Sequence, residues 1–459
     1  MSQEWNNRRV TILGLGRSGT ATARYLTDRG ARVYLSESSE ETTEKRAQAA
    51  ELENLGVQVE FGKHSDEAIS FGEFIVTSPG IKPTSEVMLK AKSLGKEVIC
   101  DVELAFRDCR IPIIAITGTN GKSTTTALIS YILEKSGKRA PACGNFGVPV
   151  LSQVDARPDF LVIEVSSYQL HYCVNLAPFI GIWMNLTPDH LDWHGGLDPY
   201  IRDKQKLFAN QRLDQYAVLN MDDPIVADVQ TRSQIMPFSA VSSLDYCIQG
   251  AFMSDGYLAY RYGGENRIVC HKDELQIIGQ HNLENALAAI STCVLARVPH
   301  EDIERYLKEF KALEHRLEYV ATVDGIEYFN DSKATNPESS IKALEAFSDK
   351  KVVLIAGGRD KGTSLSDFVH SVRNHAAAVI LIGEAKQRFE VALREVGVAN
   401  IYPADSMDEA VRLGEQLRLG PVLLSPACAS FDMFKDFEHR GRVFKDIVRT
   451  RLQKMAPPV

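Results

Sequence analysis

The chain contains no run of about 18 or more apolar residues, so it has no segment of the length that a membrane-spanning helix needs. Its first residues, MSQEWNNRRV, lack the apolar h-region of an export signal. A cytoplasmic location without stable membrane insertion is expected. Eight cysteines are present (Cys100, Cys109, Cys143, Cys173, Cys247, Cys270, Cys293 and Cys428), but no CxxC pair. Most sit in apolar stretches. That favours small buried hydrophobes in a reducing compartment over a metal or disulfide role. Positive charge is not in excess: 52 Lys and Arg face 60 Asp and Glu, for a net charge of −8. Nucleic acid is therefore not expected as a partner, because a phosphate backbone rewards basic surfaces. A single anionic nucleotide needs only a local positive site and stays open. No short-period repeat occurs, which excludes a solenoid. What remains is 459 residues with 44% hydrophobic and 24% charged content. This is an ordinary globular composition, long enough for two to four domains at roughly 100–200 residues each.

The most specific segment is Ile113–Thr126, IIAITGTNGKSTTT. A strand-like apolar run ends in Gly118-Thr119-Asn120-Gly121-Lys122-Ser123-Thr124, and a helix-like ALISYILEKSG follows. Glycines let successive N–H groups face a polyphosphate, the lysine supplies a point charge, and the serine hydroxyl can ligate Mg²⁺. The spacing is shorter than the GxxxxGK[ST] phosphate loop, because position 116 is Ile rather than Gly.

Three α/β units follow one another. The first opens with Val10–Leu13, then Gly14-Leu15-Gly16-Arg17-Ser18-Gly19, a helix through Leu26 and a strand at Val33–Leu35. This is GxGxxG in a βαβ start, suited to a diphosphate at the helix N-terminus. Alone it leaves NAD(P) open, with Glu37 as the acid that would meet a ribose. A further strand, Phe74–Thr77, runs into Ser78-Pro79-Gly80. The second unit begins near Ile111 and holds strands at Phe160–Val165 and Ile180–Met184. A polar region with antiparallel strands is expected over 235–278, then a helix from about His281. The third begins near Glu314, with apolar strands at Val352–Ala356, Ala378–Gly383 and Val422–Ser425. Long apolar strands alternating with helices indicate sheets covered on both faces. The expected fold is α/β, with domains at 1–109 (Rossmann-like), 110–313 (ATP-binding) and 314–459 (Rossmann-like).

A phosphate site needs hard oxygen ligands for its metal. Glu164, after four apolar residues, lies at the same sheet edge as the loop; its structural alternative is to cap the next helix through Ser166. His190 follows another strand, between Asp189 and Asp192. Lys204 lies on an evident helix and reads, from the residues alone, as solvated or salt-bridging.

The motifs TGTNGKST, EVSSYQL, NLTPDHLDWH, GQHNLENALAA, EHRLE, NDSKATNP, GGRDKG and SPACASFDMFKDFEHRG occur in that order and together resemble the Mur ligases. GLGRSG, SPGIKP and the last motif look most like the members that add D-glutamate. The resemblance implies ATP-dependent amide synthesis in peptidoglycan precursor formation, with UDP-N-acetylmuramoyl-L-alanine and D-glutamate as substrates and a monomer as the working form. It places the UDP-substrate at Gly14–Gly19, Ser78, Gly80, Asn145 and Ser166. It places ATP at Gly118–Thr124 and at Asn282, Asn285, Arg316, Asp331 and Lys333. D-glutamate falls at Thr335, Lys361, Ser430 and Phe437. Ser123, Glu164, His190 and Lys204, the last as a carbamate, are implied to hold two Mg²⁺ ions, and Lys122, His190 and Lys204 to be catalytic. The stretch Leu35-Ser36-Glu37-Ser38 lacks the Asp-x-Lys/Arg pattern of the family's base site. Other readings are another ligase of the superfamily, including folylpolyglutamate synthetase, an NAD(P) oxidoreductase built on GLGRSG, or a regulatory ATP-binding module.

Overall fold

A computed structural model describes residues 5–347, 350–360 and 362–455. Three sheets follow one another along the chain. The first has five parallel strands in the order Gln58–Phe61, Arg32–Glu37, Arg9–Leu13, Phe74–Thr77 and Glu97–Ile99. The helix Arg17–Thr27 connects Arg9–Leu13 to Arg32–Glu37, so GLGRSG lies at a strand's carboxyl end, as the βαβ reading requires.

The second sheet has nine strands. Its centre is Ile113–Thr117, flanked in parallel by Leu161–Glu164 and Ile180–Trp183. All three are buried along their length, as expected of apolar strands covered on both faces. The phosphate loop, Glu164 and the segment after Trp183 therefore leave the sheet at one edge. In the region expected to be antiparallel, Gly250–Ser254, Tyr257–Tyr262 and Glu265–His271 do pair that way. Gln234–Ser239 instead joins Tyr216–Asn220 in parallel.

The third sheet has six strands, parallel except for Glu318–Val323 against Ile326–Asn330. Strand alternation divides its apolar residues between two cores. Val352, Leu354 and Ala356 enter one; Val353 and Ile355 enter the other.

These sheets group into two compact units. One comprises the residues up to His271 together with Glu284–Leu307; the other comprises Lys272–Leu283 and the residues from Lys308 onward. The first two sheets share a unit, and a single buried apolar cluster passes from Val10 and Ile75 through Ile113 and Ile163 to Trp183 and Leu219. No helix among the described residues is long and apolar enough to cross a membrane.

Candidate active site

The phosphate loop joins strand Ile113–Thr117 to helix Lys122–Lys135. Gly121 has φ +81°, and a Cβ there would lie 2.4 Å from Asn285 Oδ1, so only glycine fits. Asn285 Oδ1 also accepts from Thr125 Oγ1 at 3.1 Å. Asn185 Oδ1 accepts from the N–H groups of Thr119 (3.1 Å) and Asn120 (2.8 Å), fixing the loop from the other side. The sequence motifs did not single out Asn185. Lys122 Nζ donates to the carbonyls of Gly118 (2.9 Å) and Thr119 (2.8 Å). The helix N-terminus and this ammonium together make an anion site.

Ser123 Oγ donates to Glu164 Oε2 at 2.6 Å, and Asn145 Nδ2 donates to Glu164 Oε1 at 2.6 Å. Glu164 is only 2% exposed. It does not cap the following helix: Ser166 does so itself, in a capping box with Gln169. Gln169 in turn donates to Asp101 at 3.1 Å.

Lys204 corrects the reading made from the residues alone. It is 1% exposed, not solvated, and no carboxylate lies within ion-pair distance of it among the described residues. Its Nζ donates to Gly118 O at 2.8 Å and lies 3.5 Å from Thr117 Oγ1, with the Tyr200 ring centroid 4.8 Å away. Burial, with the nearby Lys122 charge, holds its pKa well below the ordinary lysine value. The signal was in the helix Leu197–Ala209, whose buried residues are Tyr200, Asp203, Lys204, Leu207 and Phe208. That spacing is an inward-facing stripe with Lys204 in its middle.

His190 is half exposed, in the left-handed conformation at φ +53°, with its Nε2 3.3 Å from Asp189 Oδ2. Its ring lies 4.9 Å from that of Tyr168. Among the described residues no group of three or more His, Cys, Asp or Glu side chains is spaced to hold a metal. Ser123 and Glu164 are the pair of adjacent hard oxygens, and that donor type fits Mg²⁺.

The loops at the first sheet's edge meet the second sheet's loops. Gly14 has φ +100°, and a Cβ there would collide with Ser78 Oγ at 2.3 Å. Leu15 N–H donates to Glu37 Oε2 at 2.8 Å and Ser39 N–H to Oε1 at 2.9 Å. Burial raises the Glu37 pKa, but these bonds and Lys45 outweigh it and hold the carboxyl at about 2. Glu37 therefore braces the Gly14–Gly19 loop. Arg17 donates to Gly147 O, beside Asn145, while Ser18 O accepts from Thr22 within the helix. Trp193 Nε1 donates to Gly80 O at 3.3 Å, and Tyr172 OH to Ile81 O at 2.9 Å. These two aromatic residues were not anticipated.

In the other unit, Asp331 is buried. Burial raises its pKa to about 7 against the bonds it accepts from Ser425 Oγ (2.8 Å) and Leu317 N–H (3.1 Å). Lys333 Nζ lies 3.8 Å from the centroid of the Phe437 ring. Thr335 N–H donates to Lys333 O, and Ser430 is buried with its carbonyl accepting from Phe434 N–H. Ser332 Oγ donates to Phe437 O at 2.8 Å. Arg316 is half-buried nearby in sequence, and Asn282 Nδ2 donates to Ile278 O at 2.7 Å. Lys361 lies outside the described residues.

Comparison with known proteins gives the family. Residues 8–100 match the MurD-like N-terminal domain of Mur ligases, 116–293 the Mur ligase middle domain, and 315–428 the Mur ligase glutamate ligase domain. The chain belongs to the Mur ligase family. It is 41% identical to the UDP-N-acetylmuramoylalanine–D-glutamate ligase of Caldanaerobacter subterraneus subsp. tengcongensis, over 97% of this chain and 99% of that one. It is 40% identical to the enzyme of the same name from Pelotomaculum thermopropionicum, over 98% and 99%. The structure of UDP-N-acetylmuramate–alanine ligase from Thermotoga maritima aligns over 96% of this chain and 99% of its own, with a TM-score of 0.59 at 19% identity. That likeness establishes the shared fold.

Proposed function

We propose that this chain is an ATP-dependent ligase that joins D-glutamate to UDP-N-acetylmuramoyl-L-alanine in peptidoglycan precursor synthesis. The observation that carries the reading is the near-full-length identity to ligases of that name. The phosphate-loop geometry supports it. Both of its substrate nucleotides, ATP and the UDP precursor, suit a cytoplasmic site of action. In this reading 1–109 binds the UDP-substrate, 110–313 binds ATP, and 314–459 binds D-glutamate through Thr335, Lys361, Ser430 and Phe437.

The substrate's terminal carboxylate attacks the γ-phosphate of ATP, giving an acyl phosphate and ADP. The amine of D-glutamate then attacks the acyl carbon, and phosphate leaves with its electron pair. Phosphorylation replaces a poor leaving group with a good one. Lys122 and the N–H groups of Gly118–Thr124 hold the polyphosphate and meet the charge that develops on it. Ser123 and Glu164 would hold Mg²⁺, with Asn145 orienting the carboxylate. When bound, the metal neutralises charge on the transferring phosphoryl group. Lys204 is a buried amine with a depressed pKa beside this loop, and carbamylation requires a neutral amine. As a carbamate it would add an anionic oxygen pair, supporting a second ion together with His190.

Phosphate release is the test, with UDP-N-acetylmuramoyl-L-alanine and D-glutamate each omitted in turn. Release is expected only when both are present. Equal release with L-alanine or a diamino acid as acceptor would assign the chain to another ligase of the family. Tight NAD(P) binding without ATP binding, measured by calorimetry, would overturn the ligase reading.

A further inference from the structure

Asp203 precedes Lys204 on the helix Leu197–Ala209, and its side chain is 8% exposed. Its Oδ2 lies 2.9 Å from His171 Nδ1 and 2.9 Å from His194 Nδ1, and its Oδ1 lies 3.1 Å from Lys206 Nζ. A carboxylate only accepts, so both Nδ1 atoms carry protons. The His194 side chain is fully enclosed, and burial favours its neutral form against the pull of Asp203. Its Nε2 is then an acceptor, and Ser167 Oγ, 3.0 Å away, donates to it. The order serine, imidazole, carboxylate is that of a nucleophilic relay. Ser167 is 4% exposed, however, and the imidazole is closed off, so no substrate atom reaches that hydroxyl. The network is a scaffold.

What it supports is specific. Three helices meet at this carboxylate: Ser167–His171, Leu191–His194 and Leu197–Ala209. Ser166 is the N-cap of the first, His190 is the N-cap of the second, and Lys204 lies on the third. The Tyr168 ring fills the space between them, stacked on His194 (5.6 Å, 11°) and 4.6 Å from Trp193, whose indole holds Gly80 O. We propose that Asp203 is a positioning residue. Through His171 and His194 it fixes Ser166, His190 and Lys204 relative to one another. This rests on the functional reading of those three residues given above. The chemistry is sensitive to such placement, since an error of about 1 Å can cost roughly 100-fold in rate.

The test uses the full-length chain, steady-state kinetics in all three substrates and Mg²⁺, and the folded fraction from circular dichroism. Asp203→Ala is expected to lower kcat by about ten-fold or more. It should raise the Mg²⁺ concentration for half-maximal rate and leave the KM for D-glutamate within about two-fold. His194→Asn keeps a donor near the Nδ1 position, so it should retain several-fold more activity than His194→Ala; His171→Asn should likewise exceed His171→Ala. If Asp203→Ala does not fold, the two histidine pairs decide. A kcat within two-fold of the parent in Asp203→Ala overturns the proposal. So does a loss that merely follows the folded fraction, or asparagine variants no better than alanine. Lys204→Ala is the reference. Full activity there would remove the reading of Lys204 itself, whereas an inactive Lys204→Ala beside an unaffected Asp203→Ala would refute only the positioning role.

Discussion

Replacing Lys204 by alanine should separate stability from activity. The side chain is 1% exposed, so truncation removes buried methylenes and leaves space below the phosphate loop. Deletions of this size in a packed interior cost about 2–5 kcal/mol in apolar cases. Two features reduce that figure here. Gly118 O keeps a donor, because Lys122 Nζ also reaches it at 2.9 Å. The substitution also removes an amine that burial disfavours in its charged form. A net loss of about 1–2 kcal/mol is expected, which in a chain of this size lowers Tm by only a few degrees. Activity should fall much further, by about 100-fold or more, equivalent to roughly 2.7 kcal/mol of barrier. Phosphate release and a thermal melt on the same preparation measure both. Acetate should restore part of the rate in Lys204→Ala by occupying the vacated anion position. Lys204→Met fills the space, so it should melt near the parent, remain inactive and ignore acetate. Parent-like turnover in either variant would refute the assignment. A well-defined unmodified lysine in a high-resolution structure of the active form would refute the carbamate.

Lys122→Ala should abolish ligation with little change in circular dichroism, because no other side chain places a cation on Gly118 and Thr119 from within the loop; near-normal turnover would sink the phosphate-loop assignment. Lys361→Ala is expected to raise the KM for D-glutamate far more than that for the UDP-substrate, since a dianionic amino acid depends on charge-assisted bonds; equal effects on both would point to phosphate binding or closure. Glu37 has its folded pKa depressed to about 2, below the ordinary carboxyl value, so its stabilising contribution is present above about pH 4 and is lost as pH falls toward 2. Glu37→Gln should therefore weaken stability at pH 7 by about 1 kcal/mol, flatten the acid limb of the melting curve, and raise the KM for the UDP-substrate several-fold. An unchanged acid limb would show that the carboxylate bonds to Leu15 and Ser39 are not energetically coupled to folding.

The parts of the molecule that were legible in the sequence are those encoded locally. Ile113–Thr117 and Val352–Gly357 are strands because every residue is apolar or small, and they end at the loops the motifs predict. The helix at Arg17 and the turn at Gly121 were legible for the same reason: backbone demand and residue type coincide within a few positions. Lys204 was misread without the family resemblance because a lysine among Arg202, Asp203 and Lys206 looks like a wet helix face, while only the 200, 203, 204, 207, 208 stripe reveals the buried one. His171, His194 and Asp203 are separated by 23 and 9 residues, and nothing local links them; helix packing creates their shared carboxylate. The grouping of three sheets into two units was equally hidden, since it depends on contacts such as Glu103 with the N–H groups of Val174, Asn175 and Leu176.

That last contact has a thermodynamic consequence. Glu103 is fully enclosed; Arg107 on its own helix donates to it at 2.7 Å, but its backbone donors, the N–H groups of Val174, Asn175 and Leu176, come from the 174–176 turn next to the second sheet. The apolar cluster that accompanies it runs without a break across both sheets. Neither sheet can melt without exposing the other's interior, so calorimetry should resolve two cooperative transitions for three α/β sheets. An isolated fragment ending near residue 109 would present one wall of a core lacking its opposite wall, together with a buried acid that keeps its Arg107 ion pair but loses its backbone donors from 174–176. Such a fragment should be aggregation-prone.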